Sequence, residues 1–175
     1  AGLTLGKNEG GLGGDLNDPN QTLYPRGIIG NDSKYAFRLS GSYQLPWEVM
    51  IAGSLVTNQG YPYVSSFNLT RAAAALQGIT LTRASQNITL SQRGDERLPN
   101  VTLADLRFTR TFRLGSRRVI PTLDIFNIGN SSTVVSLNNS VGGTYLEPRE
   151  IISLRIIRVR FSIHFCVRGD GSWWR

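Results

Sequence analysis

The stretch EIISLRIIRVRFSIHF, residues 150–165, governs the reading of the whole chain. From Ile157 it alternates without a break. Ile157, Val159, Phe161, Ile163 and Phe165 fall on one side, and Arg158, Arg160, Ser162 and His164 on the other. Side chains along a β-strand point to opposite faces in turn, so a period of two describes a strand that is apolar on one face and basic on the other.

The same period recurs upstream. In KYAFRLSGSYQL, residues 34–45, Tyr35, Phe37, Leu39, Gly41, Tyr43 and Leu45 oppose Lys34, Arg38, Ser40, Ser42 and Gln44. Pro46-Trp47 breaks the run with almost no loop, and residues 48–60 alternate again, so the two runs predict a tight hairpin. A second hairpin is predicted over residues 100–114 and 117–127, turning at Gly115-Ser116. In it Ala104, Leu106, Phe108, Phe112 and Leu114 oppose Asp105, Arg107, Thr109, Thr111 and Arg113. On the return arm Val119, Pro121, Leu123 and Ile125 oppose Arg118, Thr122 and Asp124. Pro121 lacks the N–H that a central strand uses, and Arg110 interrupts the apolar side, near a strand end where a long side chain can snorkel. Residues 1–6, with Leu3 and Leu5 flanking Thr4, form the tail of a further strand.

Long polar connections separate these arms: residues 7–33, 61–99 and about 128–153, rich in Gly, Asn, Ser and Thr. They are expected to be largely irregular. RAAAALQG, residues 71–78, is the one helix candidate, and residues 79–82 with 87–90 are expected to pair as a small hairpin. Long and very short connections therefore alternate. Compact soluble domains rarely carry such loops, whereas outer-membrane barrels have this rhythm, with strands of about 9–11 residues. Aromatic residues near strand ends (Tyr35, Tyr43, Trp47, Tyr61, Tyr63 and Phe165) suit the girdles of such barrels.

Composition narrows the alternatives. A chain of 175 residues has the length of one domain, and no run approaches the roughly 18–20 apolar residues of a membrane helix. It begins at Ala1 with no visible signal peptide, and either a removed leader or a longer parent chain is expected. Net charge is +7, but the basic residues are scattered singly along alternating segments, so no nucleic-acid partner is expected. The single Cys166 excludes an internal disulfide framework.

No catalytic motif accompanies the only histidine, His164, and no enzyme activity is expected. Asp105 and Asp124, among Arg107, Arg113 and Arg118, are expected to form cross-strand ion pairs rather than an acid–base dyad. The glycine-rich segment 6–20 lacks the order of a phosphate loop. Asp15, Asn17 and Asp18 in it offer oxygen ligands for calcium, but a solvated loop is the preferred reading. No cofactor or metal is expected. Arg168-Gly169-Asp170 spells an adhesion tripeptide of the kind that arises by chance.

Four stretches carry a resemblance: SGSYQLPW (40–47), NQGYPY (58–63), RLPNVTLADLRFTRTFRLG with PTLDIFNIGNSSTV (97–115 and 121–134), and YLEPREIISLRIIRVRFSIHF (145–165). In order and interval they resemble the C-terminal end of TonB-dependent outer-membrane receptors, the OmpA-related subgroup with large barrels. The resemblance implies a 22-stranded barrel around an N-terminal plug, importing ligands with energy delivered by the TonB complex. Residues 1–165 would supply about six of its antiparallel transmembrane strands, with long external loops and short periplasmic turns, in the outer membrane of a Gram-negative bacterium.

Its partners would be the rest of the barrel and plug, outer-membrane lipid, and the TonB complex through an N-terminal part lying outside this sequence. Asp105, Arg107, Arg113, Asp124, Arg158, Arg160 and His164 would face the lumen, and Phe165 would be the terminal-strand aromatic of the assembly signal. Residues 166–175 (CVRGDGSWWR) depart from that family pattern. Two other classes stay open: a soluble antiparallel β-domain that binds glycans or surfaces, and a hydrolase with an unrecognised site.

Overall fold

The computed structural model describes residues 1–11, 18–30 and 32–165. Its elements begin with β1 (Gly2–Leu5), β2 (Glu9–Gly11), α1 (Pro19–Leu23), β3 (Arg26–Ile28), β4 (Tyr35–Leu45) and β5 (Val49–Asn58). The middle of the chain forms β6 (Pro62–Tyr63), β7 (Ser66–Thr70), α2 (Arg71–Leu76), β8 (Ser85–Thr89) and β9 (Glu96–Arg97). Then come β10 (Val101–Arg110), β11 (Phe112–Leu114), β12 (Arg117–Phe126), β13 (Val134–Leu137), β14 (Pro148–Ile151) and β15 (Ile156–Phe165). The fold is all-β with antiparallel sheets. The main sheet has seven strands in the order β1-β4-β5-β10-β12-β11, with β15 also paired to β12.

Both expected hairpins form. Chain reversal after β4 places Trp47 and Glu48 at φ 61° and 56°, the left-handed region that bulky residues avoid. At the second turn only Gly115 has positive φ (60°), as the first central residue of a II′ hairpin requires. Leu114 pairs with Arg117 across it. The pairings Thr109↔Thr122 and Phe112↔Val119 belong to one register, so β11 continues β10 without a bulge. The interruption lies opposite Pro121, which has no N–H to donate. The final strand starts at Ile156, and Glu150-Ile151 belong instead to β14.

The chain divides into two compact units. The first comprises residues 1–38, 56–102 and 132–153. Here the expectation of irregular connections fails, because they fold into four small two-stranded sheets, β2-β3, β6-β9, β7-β8 and β13-β14. The expected hairpin within the middle connection is also misplaced. Ser66–Thr70 pairs with Ser85–Thr89, while residues 79–82 form no strand. At its tip α2 falls where the alanine run predicts, capped by Thr70 Oγ1, which accepts from the Ala73 N–H at 3.2 Å. The buried apolar residues Ile28, Pro62 and Ala74 all lie in this unit.

The second unit comprises residues 39–55 and 103–131 with β15. It holds no buried apolar residue among those described. Ile157, Val159, Phe161, Ile163 and Phe165 are 54–69% exposed, with Leu114 at 64% and Tyr43 at 71%. None of the described residues covers this face. Within the described residues β15 pairs only with β12, so its other edge is unpaired.

One glycine in the first unit tests the packing of the connections. A Cβ on Gly60 would fall 1.9 Å from the Leu98 carbonyl oxygen and 2.5 Å from that of Pro99, both backbone atoms. Gly60→Ala is expected to destabilise this unit by about 3 kcal/mol, read as faster limited proteolysis of residues 61–99. Gly142→Ala, where a Cβ meets nothing within 4 Å, is expected to leave the proteolysis rate unchanged.

Candidate functional site

The polar face of the second unit carries the charged residues singled out in the sequence. Pairings Arg107↔Asp124 and Asp124↔Arg158 set a carboxylate between two guanidiniums in one row across three strands. Asp124 Oδ1 accepts from Arg107 Nε, and its Oδ2 accepts from Arg158 Nε at 3.0 Å and Nη2 at 2.8 Å. Arg160, one row further, reaches the same oxygen at 3.4 Å. Asp124 is 1% exposed, whereas the three arginine side chains are about half exposed. Arg158 also lies over the Phe126 ring, 5.0 Å from its centroid. One acid thus joins strands β10, β12 and β15, and three arginines around it leave a local excess of positive charge.

The expected ion pairs exist for Asp124 but not for Asp105. Asp105 Oδ1 accepts from the Asn127 N–H at 2.9 Å, and Oδ2 is 3.4 Å from the Ser54 hydroxyl. The physical reason is position: carried one step on, the β10–β12 register sets Asp105 opposite Phe126, so no arginine faces it across that pair. Its carboxylate instead fixes the backbone where β12 ends. There Asn127 and Asn130 adopt φ of 50°, and the Asn127 side chain bonds both to Ser131 N at 2.9 Å and to Ser131 O at 2.8 Å.

Arg113 finds a partner that the sequence did not single out, Glu48 of the first turn, at 2.8 Å. The rows bring Arg113 opposite Arg118 and Arg118 opposite His164, a basic line across three strands. Phe165, at the end of β15, pairs with Arg117. Asp124 with Arg107, Arg158 and Arg160 is therefore one cluster. Arg113 and His164 lie outside it, and Asp105 has a separate task.

Sequence reasoning missed a polar network in the first unit. Arg97 donates to Asp32 Oδ2 at 2.8 Å, to the Asp32 carbonyl at 2.9 Å and to the Gly60 carbonyl at 3.3 Å. Both partners are largely buried, and the Arg97 bond, helped by the Asn8 N–H, holds the Asp32 carboxyl below its ordinary value against the opposing effect of burial. Ser65 donates to Glu96 at 2.7 Å and shares a 2.6 Å hydrogen bond with the Tyr145 hydroxyl, and Ser91 donates to the same Glu96 oxygen at 3.1 Å. Burial pushes the nearby Tyr63 phenol up, and the charge of Glu96 adds to it. Ser65 is 4% exposed and its hydrogen-bond partners are an acid and a phenol, so the cluster is a fastener rather than a nucleophile with its base.

These contacts join parts of the chain far apart in sequence, 65 residues for Asp32–Arg97 and 80 for Ser65–Tyr145. NQGYPY and RLPN, two of the stretches behind the resemblance, meet here, with Pro62↔Arg97 and Tyr63↔Glu96 paired. No cluster of three or more His, Cys, Asp or Glu able to hold a metal occurs among the described residues. Asp18 is the N-cap of α1, accepting from the Asn20 N–H at 3.0 Å. Asp15 and Asn17, like the Arg168-Gly169-Asp170 tripeptide, lie outside the described residues.

No protein-family model matches the sequence, and neither curated proteins nor solved structures give a match.

Replacing Asp124 by Asn removes the charge that holds three arginines together. The expected result in the full-length gene product is a drop of about 5 °C in the midpoint of heat unfolding. Asp105→Asn, whose amide oxygen still accepts from Asn127, is expected to change the midpoint by much less. Gel mobility of heated and unheated samples reads both.

Proposed function

We propose that this chain is barrel wall and external loops of an outer-membrane receptor of the TonB-dependent kind, a transporter for energy-coupled ligand uptake. The observation that carries the reading is the uncovered apolar face of the second unit, which alternates residue by residue with a charged face. Leaving five large apolar side chains of β15 in water forgoes roughly 8–15 kcal/mol of burial, as much as a whole domain's stability. Something must cover that face. A bilayer does so along the whole strand, and ten-residue strands β5, β10, β12 and β15 have the length needed to cross it at a tilt.

The two faces then have distinct solvents. Ile157, Val159, Phe161, Ile163 and Phe165 meet lipid, while Arg107, Arg113, Asp124, Arg158, Arg160 and His164 line a wet lumen. Pairing each strand to the next satisfies the backbone polar groups that hydrocarbon cannot solvate. The unpaired edge of β15 requires a further strand, which the rest of a larger barrel supplies, so the chain's principal partner is the remainder of that barrel with its plug. Coupling to the TonB complex runs through a plug and N-terminal segment outside this sequence, and no residue described here is assigned a catalytic role. A soluble β-domain would instead need a second sheet packed on the apolar face, and the second unit has none among its described residues.

Epitope insertions test membership and orientation together in cells expressing the gene. An epitope between Gly142 and Gly143, in the exposed turn before β14, is expected to bind antibody on intact cells. One between Gly115 and Ser116 is expected to bind only after the outer membrane is opened. The protein is expected to sediment with that membrane. Recovery in the soluble fraction, or equal labelling of both sites on intact cells, would contradict the reading.

A further inference from the structure

Two arginines stand on the wrong face. The β10–β12 register, carried across the Pro121 gap, puts Arg110 on the same side as Phe108 and Phe112, and Arg117 shares that side with Leu114 and Phe165. This is the uncovered apolar face. Among the described residues neither arginine has an ion pair. Each lies instead over an aromatic ring, Arg110 at 4.6 Å from the Phe112 centroid and Arg117 at 5.2 Å from that of Phe165.

The stacking also gives the arginines a direction. Phe112 is two residues nearer the hairpin turn than Arg110, about 7 Å along a strand, so the Arg110 side chain leans toward the turn. Arg117 is itself the first residue after the turn. Both guanidiniums therefore gather at the short-turn end, level with Phe112, Leu114 and Phe165, which are 40%, 64% and 63% exposed. A ring lies against each guanidinium, whose five N–H groups can still donate to an acceptor.

We infer that the hairpin end of this face binds the phosphodiester headgroup of an anionic phospholipid, rather than the dipolar headgroup of a neutral one. The inference rests on the membrane reading above. Two unpaired guanidiniums at the border of an apolar face match a lipid whose acyl chains lie along Val119, Phe161 and Ile163 while its phosphate sits at the turn. Guanidinium offers a planar fork of donors that fits phosphate oxygens, and the neighbouring rings belong at the level where chains meet headgroups. A net negative lipid is favoured because the two cations add to each other's field and, among the described residues, no acid on this face pairs with them.

A local quenching experiment tests this in the full-length gene product reconstituted into phosphatidylcholine vesicles. Cys166 is replaced by Ser, Val119 by a fluorophore-bearing cysteine, and a trace lipid carries a nitroxide high on its acyl chain. At low salt nitroxide phosphatidylglycerol is expected to quench roughly three-fold more effectively than nitroxide phosphatidylcholine. The preference is expected to vanish in the R110Q/R117Q variant and in 0.5 M NaCl, and to survive in R113Q/R118Q, which alters the other face. The salt series on the unsubstituted arginines decides the matter even where the double variant fails to insert.

Equal quenching by the two lipids at low salt, or loss of preference in R113Q/R118Q with retention in R110Q/R117Q, overturns the headgroup site alone. Absence of quenching by either lipid overturns the membrane reading beneath it.

Discussion

A sheet whose apolar face meets nothing among the described residues is the constraint on which everything else depends. In the second unit β15 offers Ile157, Val159, Phe161, Ile163 and Phe165 on one side and arginines on the other, and both sides are open. An ordinary domain resolves such a strand by laying a second sheet or a helix on the apolar face. Here the cover has to come from outside the described chain. The two solvents proposed for the two faces account for the strict alternation, because a one-residue slip in register would exchange the faces and bring arginine to lipid.

That register needs support in a single-layer sheet, and Asp124 supplies it. Its carboxylate accepts from Arg107 on one neighbouring strand and from Arg158 on the other, so sliding either strand separates opposite charges. Buried acids with half-exposed cations contribute modestly to stability, because the cations keep much of their water. Their larger effect here is on pairing. The first unit uses a similar device with different residues. Asp32–Arg97 and Ser65–Glu96–Tyr145 tie three connections to one another, so the segments between the main strands hold together as a unit without a large apolar core.

The strands were legible in the sequence because alternation is a property of neighbours. Both hairpins, the short helix and the split between apolar and charged sides follow from local order. The connections were not legible. Their strands are two to five residues long, and contacts 65 to 80 residues apart hold them in place, beyond any local period. Within the charged face, sequence identified the set but not the assignments. Asp105 and Asp124 look equivalent as acids on alternating strands, yet register gives one three arginines and the other a backbone N–H. Glu48 escaped notice because its partner Arg113 lies far along the chain in the other hairpin, and Asp32 because it stands in a loop.

Solvent accessibility along β15, residue by residue, tests most directly whether lipid covers the apolar face. Nitroxide side chains placed singly at positions 157–164 of the full-length protein in lipid bilayers report collisions with oxygen, which concentrates in hydrocarbon, and with a water-soluble nickel chelate. The expected result is a period of two: oxygen maxima at 157, 159, 161 and 163, and chelate maxima at 158, 160, 162 and 164. Equal, high chelate accessibility on both faces would show β15 in water on both sides, and would contradict the membrane reading at its root.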